Sequence, residues 1–191
     1  MQIHHSSSAI PSILYLWMLR ALVPLGGYQQ FTGRVLFSPE ESITKALSLI
    51  DKTPINLSES QSKVILSHLS KLHQAVEYKW RDAQVPPCLG NNVIRLSELL
   101  GLSQTDCRIL EFAVMVKNES LLYDTTRILG ELSLLQLYRV LAILLDLPER
   151  EIKNSLSARS ILIQSGLVEI GSRNAASLGD KLDVLSDSFA E

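Results

Sequence analysis

Two cysteines, Cys88 and Cys107, are all the chain offers in 191 residues, which excludes a disulfide scaffold and a zinc ribbon. Charge of one sign is also lacking. With 18 Lys and Arg against 20 Asp and Glu, the net charge is −2, so a strongly basic whole-chain footprint for nucleic acid is absent. No glycine among the nine is followed by lysine, so the loop G-x-x-x-x-G-K-[ST] that cradles nucleotide phosphates is missing. No internal repeat or low-complexity tract occurs. An uninterrupted apolar run long enough for a membrane is lacking too. Residues 10–27 come nearest, but Arg20 interrupts them, and Pro11 and Pro24 bracket only a dozen residues. No Lys or Arg precedes that run, as a secretory leader would require. Residues 12–23 therefore read as a short buried helix, and the cytoplasm as the compartment, with no membrane association.

What is present is a globular composition, 46% hydrophobic and 20% charged, rich in helix-start signals. Ser38-Pro39-Glu40-Glu41 opens a helix with Ile43, Ala46, Leu47 and Ile50 on one face, ending near Asp51. Ser58 and Gln61 form a capping box ahead of a long amphipathic helix through Val64, Ile65, Leu69, Leu72, Val76 and Trp80 to about Arg81. The run VPPCLGNN, residues 85–92, then reads as a linker or a sharp turn. Beyond it, Val93 to Leu100 is a helix stopped by Gly101, and Ser103 to Asp106 is a second capping box. Ser120 to Leu129 is helical up to Gly130, and Ser133 with Gln136 caps a helix from Leu134 to Leu145 that is apolar on nearly every side. Pro148 starts a short helix ending near Leu156, and Ser157 is read as capping another through Ser165, with Leu156, Ile161 and Leu162 turned inward. Leu167 to Ile170 alternates like a strand, with Gly171 to Asn174 as a turn toward a return strand. Leu182, Leu185 and Phe189 give the tail from Leu178 a helical period.

The expected fold is all-α, mainly helical, with a small β-wing. The expected divisions are a helical subdomain over 1–84, a linker over 85–91, a winged-helix-like subdomain over 92–176 and a helical tail over 177–191. Helix, turn, helix, helix, strand, turn, strand over 133–171 is the order of a winged helix, a fold that does not by itself imply DNA binding.

Residues 92–171 also resemble the region ahead of the ATPase core in a group of bacterial AAA-family ATPases. The elements that carry the likeness are the opening NNVIRLSELLGLS, the helix with ILEFAVMV, the LGELS turn and the ending SGLVEI; LYLWMLRALVPLGG fits the same family more loosely. The resemblance implies an amino-terminal interaction or regulatory domain, not an enzyme in itself, that binds a protein partner or positions the ATPase core. It implies ATP and magnesium for the full-length protein, with that core in a missing downstream part. No nucleotide-binding residue carries over to these positions, and no cofactor is expected in this chain.

The alternative is a winged-helix DNA-binding domain of a transcription regulator. Its reading helix would be Ser157 to Ser165, and Lys153, Arg159 and Gln164 are the candidate DNA- or partner-contacting residues. Eight cations against ten acids over 92–171 disfavour duplex binding, because non-specific affinity rests on several phosphate contacts. Arg139, Arg150, Lys153 and Arg159 could form a basic patch, but pairing with Glu149 and Glu151 is the plainer expectation.

No catalytic or metal residue is assigned. His4 and His5 lack a third ligand and read as an exposed end. His68 and His73 are turned about 140° apart on one helix, whereas helical zinc ligands sit four residues apart. Cys88 and Cys107 lack a pairing base and read as reduced structural thiols. Tyr15, Trp17 and Trp80 read as core.

Overall fold

The computed structural model describes residues 11–32, 43, 59–171 and 177–184. The helix expected over 38–51 lies outside them except at Ile43, which is helical and buried, and Ser58 lies outside as well. The described chain is mostly helical with one small antiparallel sheet. Its elements are α1 (Ser12–Leu22), a 3-10 turn (Gly27–Thr32), α2 (Glu59–Trp80), α3 (Pro87–Leu100), α4 (Gln104–Asn118), α5 (Ser120–Arg127), α6 (Leu134–Leu145), α7 (Glu149–Ser155), α8 (Ile161–Gln164), β1 (Val168–Ile170), α9 (Leu178–Lys181) and β2 (Leu182–Val184).

Local chemistry accounts for most of these boundaries. Ser103 Oγ accepts from Asp106 N at 3.1 Å while Ser103 N donates to the Asp106 carboxylate at 2.9 Å, closing a capping box on α4. Ser133 and Gln136 do the same for α6. α3 ends on Gly101 at φ 74°, a left-handed position that a Cβ would strain. α6 ends on Asp146, also left-handed at φ 54°, a conformation that Asp tolerates better than most residues.

α1 lies at the centre. Nine of its eleven residues are buried, including Trp17, whose ring meets Phe112 of α4 edge-on at 5.1 Å. It packs against α2, α5 and α6, so residues from both sides of the 85–91 segment share one hydrophobic core. At roughly 1.5–3 kcal/mol for each large apolar side chain, this short helix supplies a substantial part of the burial energy. Among the described residues no helix is long and apolar enough to cross a membrane.

Three expectations are corrected. The stretch 85–91 is not a linker throughout: Pro86 is the N-cap and Pro87 the first residue of α3, which runs on through Gly90, Asn91 and Asn92. A proline at the first helical position has no amide to lose and a φ already suited to the helix. Ser157 does not cap the last helix of the trio. Residues 156–160 form a bend, and Ser160 Oγ accepts from Ile163 N at 3.3 Å, leaving α8 one turn long. That bend sends Leu156 and Leu162 inward and leaves Ile161 44% exposed.

The tail is the third correction. Among the described residues it is helical over Leu178–Lys181 and then extended, with Val168, Glu169 and Ile170 of β1 opposite Val184, Asp183 and Leu182 of β2; Leu185 and Phe189 lie outside the described residues. The return strand thus follows a helical turn rather than Gly171–Asn174 directly. Ser177 caps α9, and Gly179 sets it close against α4 and α5. A Cβ at Gly179 would fall 2.8 Å from Val116 Cγ1 and 2.9 Å from the Tyr123 ring.

Candidate functional site

The face formed by α7, α8 and the end of α3 is where the expected contact residues fall. α7 begins after Pro148 with Glu149 and Glu151 in its first turn, both favourable near the positive end of a helix dipole. Lys153 lies on α7, Arg159 in the bend before α8 and Gln164 at the end of α8, and all three are exposed. Among the described residues neither Lys153, Arg159 nor Arg150 has an ion-pair partner. The pairing expected with Glu149 and Glu151 is limited to Arg139, whose Nε is 3.8 Å from Glu149. Glu151 instead accepts from the Thr105 hydroxyl at 2.8 Å, tying α7 to the start of α4.

Beside these cations the surface is apolar. Leu99 is 80% and Leu100 39% exposed at the end of α3, and the Cβ direction of Gly101 points to Ile161 Cδ1 at 4.0 Å. A Cβ at Gly101 would thus stand at ordinary contact distance from Ile161, which brings the exposed α8 side chain near the turn that ends α3. This patch escaped sequence reasoning because Ile161 looked like a core position. The signal that could have found it is the adjacent pair Leu99-Leu100, which one helical face cannot bury together.

A second cluster is electrostatic and lies inside the bundle. Arg20 is nearly buried, its side chain 5% exposed. Its Nε and Nη2 donate to Glu77 of α2 at 2.6 and 2.9 Å, and its Nη1 donates to the carbonyl of Leu144 in the last turn of α6 at 2.7 Å. One guanidinium thus holds three helices and satisfies a carbonyl that α6 cannot satisfy itself. His73 Nε2 sits 3.2 Å from the same Glu77 oxygen, and Arg81 reaches Asp146 at 3.3 Å. The hydrogen bonds and charge of Arg20 hold the Glu77 carboxyl below its ordinary range. Arg20 was noted only as an interruption of an apolar run, yet a lone arginine in such a run is itself a sign of a buried partner.

The remaining candidates separate. His68 is exposed, whereas His73 faces Glu77. No group of three metal-ligating side chains comes together among the described residues. Cys88 is exposed on the first turn of α3. Cys107 is half-buried on α4, and burial pushes its thiol pKa up. Glu111 is also pushed up by burial, against the opposing charge of Arg108 at 3.1 Å. Tyr15 and Trp80 meet edge-on at 5.8 Å between α1 and α2, within the packing expected of them.

No family model, curated protein or solved structure matches the chain.

Proposed function

We propose that this chain is a non-catalytic interaction module, the amino-terminal region of an AAA-family ATPase, and that its winged-helix-like half binds a protein partner. The observation that carries the reading is the surface of α8. Where a DNA-reading helix would offer cations, this one offers Ile161, 44% exposed, and α3 ends on Leu99, 80% exposed. Exposed large apolar side chains suit a protein contact better than a phosphate backbone. ATP and magnesium belong, in this reading, to a downstream core of the same polypeptide.

Two experiments test it. Reading the coding frame beyond Glu191 should reveal G-x-x-x-x-G-K-[ST] within about a hundred residues; a stop codon directly after Glu191 would remove the ATPase assignment. Titration of the chain with duplex DNA at low salt should show no binding that depends on Arg159 or Lys153. The competing reading, a winged-helix DNA-binding domain, is favoured by the unpaired state of Arg150, Lys153 and Arg159. It requires duplex affinity that falls steeply with salt and is lost on Arg159→Ala or Lys153→Ala.

A further inference from the structure

We propose that the outer face of α2, from Lys63 to Lys79, with Arg81 in the turn that follows and the pocket at its carboxyl end, binds single-stranded nucleic acid. The inference goes beyond the protein-partner reading and uses none of its residues. α2 turns Leu69 and Val76 to the core and leaves Lys63, Lys71, Lys79 and Arg81 exposed. The only carboxylate between Lys63 and Arg81 is Glu77, and it faces inward onto Arg20. At 1.5 Å per residue the three lysines of α2 span about 24 Å, and their azimuths fall within about 160° of the helix surface. Lys63 and Lys71 have no ion-pair partner among the described residues, and Arg81 makes only the exposed contact to Asp146. The net −2 of the whole chain thus conceals a helix face on which no acid stands between the cations.

Aromatic surface accompanies the charge. Tyr78 is 95% exposed, the most solvated of the large hydrophobic side chains described, and it stands on the same face of α2 as Lys71. Next to it Lys79 places its ammonium 5.2 Å from the Trp80 ring centroid. These residues border an open pocket of about 550 Å³, closed on its other sides by the start of α1 at Pro11 and Ser12 and by Val85 to Pro87. That volume is in the range of small-molecule sites, roughly 300–1,000 Å³. The first turn of α1 adds neither an acid nor a side-chain cap to oppose an anion there. Asp82, on the rim, is the one carboxylate bordering the pocket.

A row of cations leading to a concave site with an unpacked tyrosine matches what a single strand presents: regularly spaced phosphates and bases free to stack. A duplex keeps its bases inside and cannot fill the pocket with one. A lipid surface needs apolar side chains to insert, and this face exposes only Val64 and Tyr78.

The test is fluorescence anisotropy of the whole chain with labelled oligothymidylate of about 20 nucleotides, against a duplex of equal length and against vesicles containing phosphatidylserine. Three to four phosphate contacts should weaken binding to the single strand about 20–50-fold between 50 and 200 mM salt. The double substitution Lys71→Gln, Lys79→Gln should reduce affinity about tenfold and flatten the salt dependence. Tyr78→Ala should reduce affinity by a similar factor with the salt slope unchanged. These sites are exposed, so thermal melting should match the parent chain, and Arg159→Ala should leave single-strand binding intact. The proposal is overturned by an absence of binding at low salt, by tighter binding of duplex or vesicles than of the single strand, or by affinity that survives the α2 substitutions.

Discussion

Replacing either partner of the Arg20–Glu77 pair should destabilise the fold, but unequally, and the order of the two effects follows from burial. Glu77→Gln leaves the guanidinium charged in a site where its side chain is only 5% exposed, facing a neutral amide and with the exposed Asp146 carboxylate, 4.0 Å away, as its remaining counter-charge. Breaking a buried pair in this way typically costs about 3–5 kcal/mol. Because the Glu77 side chain is 29% exposed and partly solvated, about 2–4 kcal/mol is expected here. Arg20→Met, by contrast, places an apolar side chain of similar length in apolar surroundings and lets Glu77 turn to water. Its main loss is the hydrogen bond to the Leu144 carbonyl, about 1–2 kcal/mol. The double substitution Arg20→Met, Glu77→Met should cost less than the sum of the single ones by at least about 1 kcal/mol. Urea denaturation followed by circular dichroism resolves these differences as shifts in midpoint at constant slope. A larger loss for Arg20→Met than for Glu77→Gln, or strict additivity in the double variant, would show that the pair does not act as a buried ion pair.

The pH dependence follows from the same carboxylate. Its folded pKa lies below the ordinary value, so its stabilising contribution is present above about 4.5 and is lost as pH falls through the folded value. Glu111 acts in the opposite sense, since burial raises its pKa and acidification relieves the cost of its charge. Urea midpoints between about pH 3 and 7 should therefore lose their acid limb in Glu77→Gln, and Glu111→Gln should steepen the net acid loss. An aromatic disulfide reagent should react fast with Cys88 and slowly with Cys107, whose raised pKa and burial both oppose thiolate formation; equal rates would contradict this placement. Gly179→Ala should destabilise by about 1–3 kcal/mol in thermal melting, since its methyl would meet Val116 and Tyr123 below 3.0 Å. Ser133→Ala should cost about 1 kcal/mol through loss of the α6 cap.

Features written in neighbouring residues were legible from the sequence. The capping boxes at Ser103 and Ser133, the stop at Gly101 and the limits of α1 and α6 all depend on contacts within four positions, and their chemistry shows in the letters. Pro86-Pro87 was misread because the same dipeptide can end one helix or begin the next, and only the preceding turn at Arg81 and Asp82 decides between them. Ser157 and Ser160 are equivalent as caps by type. The choice between them is made by the need to bring Leu156 and Leu162 to one core, which is a tertiary condition. The extended Leu182–Val184 was hidden by a helical spacing of leucines, since its partner strand lies fourteen positions earlier at Val168–Ile170. The surface sites were less legible than the fold. Arg20 finds Glu77 across 57 residues and Leu144 across 124, and no local pattern encodes either partner.

That separation of 124 residues has a consequence for biosynthesis. α1 leaves the ribosome well before the carbonyl that Arg20 clasps and before the α5 and α6 surfaces that pack on it are translated. At about 5–20 residues per second the interval is on the order of ten seconds. Throughout that time a helix with nine residues to bury waits without its long-range partners, a stage at which a nascent-chain chaperone has a binding site that the finished fold removes.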